Sequence, residues 1–187
     1  MDIQVTIEGT TPLLMSKFTD EAQQKATSGR GSTFVGDKGT AREQTEAKIY
    51  TDGNGRIGIP QPNLLRCLID AGKYFKHGRS KVTTQKSSIL PGLIDIEGAF
   101  IPLDHEGWEV DTRPVRIPAT GGRILAYRPS FEKWSLTFTV NVDTTELSVK
   151  MFRDIVDAAG KKIGLGDFRP DNKGPFGKFV VTRWEEV

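Results

Sequence analysis

Between Lys133 and Val142 the chain alternates without a break. Trp134, Leu136, Phe138, Val140 and Val142 fall on one side, and Ser135, Thr137, Thr139 and Asn141 on the other. A sustained period of two describes a β-strand with one buried and one solvated face. The apolar side must be covered, and the next segment supplies a cover. Leu147, Met151, Phe152, Ile155, Val156 and Ala159 recur at helical spacing, with Thr144 or Thr145 placed to cap the helix and Glu146 in its first turn. A half-buried strand followed by an amphipathic helix restricts the chain to a sheet with helices packed on one face.

The other segments fit that frame. Ile3, Val5 and Ile7 alternate with Gln4, Thr6 and Glu8, which predicts a second half-buried strand. Ala47 to Ile59 reads as a hairpin turning at Asp52-Gly53-Asn54-Gly55. Pro60 and Pro62 precede Leu64, Leu65, Leu68, Ile69, Ala71 and Phe75, a helix expected to run to about Lys76 and stop at Gly78. Ile89 to Leu103, interrupted by Pro91 and Gly98, predicts a further strand. Lys178 to Trp184 predicts the last, with Phe179 and Val181 on one side. Arg113 to Pro129 predicts a hairpin turning at Gly121-Gly122, with Val115, Ile117, Ile124 and Ala126 able to pair across it. With loops and hairpins removed the order is β-α-β-β-α-β. The expected fold class is therefore α+β, a ferredoxin-like, RRM-like core with two helices on one sheet face. One domain over 1–187 carries three elaborations: a polar loop at 16–46, read as a mobile excursion that orders on a partner, a basic β-hairpin at 111–129, and a glycine-rich loop at 164–178.

Several function classes are excluded by what the residues lack. The single cysteine, Cys67, lies within the first helical pattern and reads as a small packed side chain, so neither a disulfide framework nor a cysteine-rich metal site is expected. The first residues alternate and contain no signal-peptide apolar region, and no run is long enough to span a bilayer, so a cytoplasmic protein without a membrane partner is expected. His-Glu-x-x-His, P-loop and Gly-x-Ser-x-Gly patterns are absent, and no cofactor is expected. Asp95, Glu97, Asp104 and Glu106 fit no calcium-loop spacing and read as a solvated acidic edge. His77, at the expected helix end beside Arg79 and Lys81, is the one residue that admits catalysis, as a metal-independent endoribonuclease.

Charge distribution says more than net charge, which is only +2. Asp95 to Asp111 holds six carboxylates and no Lys or Arg, whereas Arg113 to Arg128 holds four Arg and no carboxylate. A second basic stretch surrounds GLGDFRPDNKGPFGKF, residues 164–179. Glycines at 164, 166, 174 and 177 let backbone N–H groups approach a phosphate, Lys161, Lys162, Arg169, Lys173 and Lys178 add charge, and Phe168 and Phe176 offer rings on which bases can stack. The glycines follow a helix rather than precede one, which separates the stretch from dinucleotide and nucleotide phosphate fingerprints. The outward sheet positions are Gln, Ser and Thr, so base stacking across the sheet, as in an RNA-recognition motif, is not expected. The reading is non-catalytic binding of single-stranded RNA or DNA through Arg113, Arg116, Arg123, Arg128, Lys161, Lys162, Gly164, Gly166, Phe168, Arg169, Lys173, Phe176 and Lys178. A protein-only scaffold, with the acidic run of one subunit meeting the basic hairpin of another, is the alternative.

Three stretches together carry a family resemblance: the strand from Ile3 to Gly9, IGIPQPNLLRCLIDAG leading into the first helix, and the glycine-rich GLGDFRPDNKGPFGKF between the second helix and the last strand. The chain resembles the RAMP superfamily, the repeat-associated proteins of CRISPR effector complexes. The resemblance implies a ferredoxin-like core whose glycine-rich loop contacts guide or precursor RNA. It also implies that the 16–46 excursion and the 113–128 hairpin correspond to insertions that grip RNA and neighbouring subunits, in a homo-oligomer or multi-subunit complex. The chain is short for an effector backbone subunit, so the resemblance points to a stand-alone relative of phage or mobile-element type.

Overall fold

A computed structural model describes residues 1–19, 27 and 39–187 of the chain. The described residues form strands β1 (Asp2–Gly9), β2 (Leu13–Leu14), β3 (Gly58–Pro60), β4 (Lys76–His77), β5 (Ser80–Lys81), β6 (Ile94–Ile96), β7 (Phe100–Pro102), β8 (Asp104–His105), β9 (Glu109–Arg116), β10 (Arg123–Phe131), β11 (Trp134–Val142) and β12 (Phe179–Glu186). The helices are α1 (Ala41–Glu46), α2 (Gln61–Ala71), α3 (Leu90–Leu93) and α4 (Val149–Ala158). The result is a mixed α/β protein built on antiparallel sheets. Most of the 16–46 excursion lies outside the described residues. Of its remainder, Ala41–Glu46 is helical, and the reason is local. Thr40 accepts from the Glu43 backbone N–H while the Glu43 carboxylate accepts from the Thr40 N–H, a complete capping box.

The main sheet has the order β12-β1-β11-β6, every neighbouring pair antiparallel, with β8 also on β11. Alternation holds as read: Ile3, Val5 and Ile7 of β1 and Trp134, Leu136, Phe138, Val140 and Val142 of β11 are buried. Helices α2 and α4 pack over them with Leu64, Leu68, Phe152, Ile155 and Val156 in the same core. The opposite face is polar, with Thr6 and Thr137 sharing a 2.8 Å hydroxyl–hydroxyl hydrogen bond across the strands.

Strand β12 departs from simple alternation. Thr6 pairs with Arg183 but Ile7 pairs with Val181, which leaves Thr182 as an extra residue. The bulge turns Trp184 inward together with Val181, where its ring packs 5.8 Å from Phe152. Three other boundaries differ from expectation. Helix α2 ends at Ala71 and passes through a 3-10 turn, Gly72–Tyr74, into the short β4–β5 hairpin. The cap of α4 is Ser148, which accepts from Met151, because Asp143 engages both the backbone and hydroxyl of Thr145. The 89–103 stretch divides into α3, β6 and β7 where Pro91 and Gly98 interrupt it. The Asp52–Gly55 turn forms, but its flanks meet only at Thr51 and Ile57, because β3 pairs with β7 instead.

Candidate nucleic-acid interface

The glycine-rich loop is a tightly braced structure. After α4 the chain continues through a π-helical turn, Ala159–Ile163, closed when Gly164 donates its N–H to the Ala159 carbonyl at 2.8 Å. Leu165 drops into the core and donates to Gly177 O, and Gly177 donates to Pro12 O. A Cβ on Gly177 would lie 1.8 Å from the Leu165 carbonyl oxygen, and one on Gly166 would lie 2.2 Å from that of Leu14. These glycines let backbone press on backbone. That corrects the expected role of Gly164 as a phosphate-binding amide: it is buried and its N–H is consumed by the helix end. Gly166 is exposed, and its carbonyl accepts from Arg169 Nη1 at 3.0 Å.

Beyond Gly166 the loop presents its charged and aromatic residues. Phe168 has φ of 48° in the left-handed region, a conformation costing a side-chain-bearing residue about 1–2 kcal/mol. It is held there by a hydrogen bond from Phe176 N to its carbonyl. The two rings lie 5.9 Å apart, tilted by 42°, both half-buried. The Arg113 guanidinium sits over the Phe176 ring, 4.7 Å from its centre.

That contact brings the basic hairpin to the loop. Strands β9 and β10 pair from Glu109↔Ser130 to Arg116↔Arg123, and β2 joins the other edge of β10. The connection spans 117–122 rather than two glycines, and Ile117 lies in it instead of pairing across the strands. Leu14, in β2, pairs with Ser130 while its carbonyl accepts from Asp167 N, so one short strand bridges hairpin and loop. Arg128 Nε meets Asp167 Oδ2 at 2.6 Å, and Arg113 Nε meets Asp111 Oδ2 at 2.9 Å. Helix α1 packs at the hairpin base, with Arg42 3.9 Å over the Trp108 ring, and Lys48 Nζ donates to Tyr127 O.

The thirteen residues expected from sequence thus divide by role. Arg113 and Arg128 are held in ion pairs and brace the hairpin. Arg116 and Arg123 are exposed, directly opposite each other, and make no ion pair among the described residues. Like charges facing across a strand pair repel, a cost that an anion between them would remove. Lys161 and Lys173 are exposed, Lys178 is half-buried, and Lys162 Nζ lies 4.1 Å over the Tyr74 ring. His77 is not at a helix end. It pairs with Ser80 in β4–β5, and its Nε2 is 2.9 Å from the Glu146 carbonyl, so the favourable helix-terminal field expected for it is absent.

Sequence reasoning missed one feature. A pocket of about 270 Å³ opens between β2, the first turns of α2 and residues 164–169. Met15 and Leu165 contribute apolar walls; Asn63, Arg66 and Arg169 contribute polar ones. The Arg66 guanidinium is held by Asp70 at 3.0 Å. Asn63 and Arg66 occupy the outward positions of an ordinary amphipathic helix, and no local signal marks them. Cys67 is buried at the pocket floor, where its thiol donates to Gly164 O at 3.2 Å and burial pushes its ionisation well above the usual thiol range.

No helix among the described residues is long and apolar enough to cross a membrane. No family model matches the chain, and no curated protein matches it. Among solved structures, the chain is similar to one in the cryo-EM structure of the Type III-B Cmr-beta bound to cognate target RNA. The identity is 13% and the TM-score 0.55, over 98% of this chain and 59% of that one. At that identity the likeness is one of fold.

Proposed function

We propose that this protein binds single-stranded nucleic acid non-catalytically, along a surface shared by the glycine-rich loop and the 111–129 hairpin. The observation that carries the reading is the docking of the two basic stretches, far apart in sequence, through Arg128–Asp167 and Arg113–Phe176. Once docked, Arg116, Arg123 and Lys173 are exposed cations on the joined elements, and the Phe168–Phe176 pair is half-buried on the loop beneath Arg113. Exposed cations on elements that also carry a half-buried aromatic pair suit a flexible phosphodiester strand with splayed bases better than a rigid duplex groove. The polar outer sheet face offers no stacking platform, which supports contacts at the loop and hairpin.

The order β12-β1-β11-β6, with α2 between β1 and β6 and α4 between β11 and β12, supports a single ferredoxin-like domain of RAMP type. The fold-level likeness to a chain in an RNA-bound Cmr complex is consistent with an RNA strand as partner; repeated subunits along that strand belong to the same proposal. The test is fluorescence anisotropy with single-stranded RNA, single-stranded DNA and duplex at two salt concentrations. The expected result is single-strand binding that weakens steeply with salt, because released counterions drive it. An affinity that is flat with salt, or a preference for duplex, overturns the reading.

A further inference from the structure

A second basic surface lies on the helical side of the molecule, and the loop–hairpin site does not account for it. Between Asp70 and Asp95 the chain contains no carboxylate, but holds Lys73, Lys76, Arg79, Lys81 and Lys86. The β4–β5 hairpin concentrates these charges. Lys76 pairs directly with Lys81, Arg79 lies in the turn beside Gly78 at φ of 63°, and all three cations are exposed. The base of the hairpin is fixed: Val82 is buried and donates to Phe75 O, and Thr83 donates to Gly72 O. Nothing among the described residues forms an ion pair with Lys76, Arg79, Lys81 or Lys86. The neighbouring carboxylates are engaged elsewhere, Glu146 near His77 at 3.8 Å and Asp70 with Arg66. The arrangement repeats that of Arg116 and Arg123: two cations held opposite each other near the tip of a hairpin rooted in the core. Such a pair is disfavoured alone and favoured with an anion between its members.

The surface is continuous with the glycine-rich loop. Lys73 Nζ meets Asp171 Oδ1 of that loop at 2.9 Å, and Lys162, at the loop's start, covers the Tyr74 ring. Tyr74 is 47% exposed between Lys73 and Lys162, an aromatic flanked by cations. We propose that the β4–β5 hairpin, with Tyr74, Lys161 and Lys162, is a second phosphodiester-binding surface. It takes the continuation of the strand held at the loop, and so extends the footprint across the end of α2. A half-exposed aromatic flanked by cations, beside a hairpin of cations with no ion pair among the described residues and joined to the first site, fits a nucleic-acid backbone better than an acidic protein surface, which offers nothing for Tyr74 to stack on. The inference rests on the single-strand reading above.

The test compares wild-type protein, K76Q/R79Q/K81Q and R116Q/R123Q on labelled single strands of about 8 and about 30 nucleotides, bracketing an ordinary site size. All changed residues are exposed, and a thermal melt confirms that each variant is folded. The expected result for K76Q/R79Q/K81Q is a loss of about tenfold or more on the long strand and little change on the short one. The slope of log affinity against log salt should fall by about 2 to 3. Wild-type affinity and slope on the long strand overturn the inference, and this is also what a hairpin serving an acidic protein would give. An equal loss on both strands overturns it too, because the hairpin would then lie within the first site. If wild-type protein binds neither strand, the single-strand reading itself fails. If R116Q/R123Q loses binding while K76Q/R79Q/K81Q does not, only this extension fails.

Discussion

Arg128 Nε lies 2.6 Å from Asp167 Oδ2, in a pair whose side chains are only 15% and 31% exposed. It fastens the base of the hairpin to the glycine-rich loop. Breaking a shielded pair leaves a partly buried charge without a partner. In a double-mutant cycle, Arg128→Ala and Asp167→Ala should therefore show a coupling energy of about 1 kcal/mol or more, measured by urea unfolding. Additive losses would mean that the hairpin is held by Leu14 and Arg113 alone.

Arg116 and Arg123 face each other, and neither is paired with a carboxylate among the described residues. Removing one relieves repulsion in the free protein and, on the proposed reading, removes a phosphate contact in the complex. Arg116→Gln and Arg123→Gln should each leave the melting temperature unchanged or slightly raised, while lowering the salt slope of single-strand binding by about 1. A drop in melting temperature in either variant would show that the pair stabilises the free hairpin.

Gly177 and Gly92 separate two meanings of glycine in this chain. A Cβ at Gly177 would collide with the Leu165 carbonyl at φ of 74°, whereas one at Gly92 meets nothing within 4 Å. Gly177→Ala should destabilise by about 2 kcal/mol or more, because neither backbone can move without breaking the loop's hydrogen bonds. Gly92→Ala, within α3, should be neutral or stabilising by a few tenths of a kcal/mol on thermal melting.

The extra residue in β12 sets the inward face of the last strand. Deleting Thr182 would remove the bulge and join Ile7↔Val181, Thr6↔Arg183 and Val5↔Trp184 in one continuous ladder, so Trp184 should stay inward in contact with Phe152 and Arg153. The expected result is a small change in stability with unshifted tryptophan emission; a red-shifted spectrum would show that the bulge itself is needed to aim Trp184 inward.

Cys67 donates its thiol hydrogen to the Gly164 carbonyl and is 3% exposed. Burial holds its ionisation above the ordinary thiol value, so the thiolate fraction stays negligible even in mildly alkaline solution. Reaction with an alkylating reagent should follow global unfolding, not a local opening of the pocket floor. A native-state rate that does not rise with low concentrations of urea would contradict this, because opening by global unfolding exposes much surface and local opening exposes little.

The strands that run through the centre were legible because burial is periodic there. In β1 and β11 every second residue meets the core, so the alternation was itself the structure. Elements whose boundaries depend on a competing local bond were less legible. The cap of α4 moved to Ser148 because Asp143 claims Thr145, and α2 stopped early because its last turn tightens at Gly72–Tyr74 before β4. The capping box at Thr40 and Glu43 was written in the sequence, but polar surroundings with no apolar period concealed it.

By itself the sequence determined where charge accumulates, which strands and helices form the layered core, and that two basic stretches and a glycine-rich loop interrupt it. Each of these is a property of neighbouring residues, set by side-chain chemistry and local backbone preference. Only the tertiary structure decided which cations are committed to carboxylates and which face outward, since Arg128 and Asp167 are far apart in the chain and adjacent only once β2 lies between the loop and the hairpin. The same holds for the glycines: composition suggested amides open to a phosphate, but the close crossing of backbones at Leu165 and Gly177 gives them a packing role. On the proposed reading, phosphate contact is left to the side chains that the crossing displays.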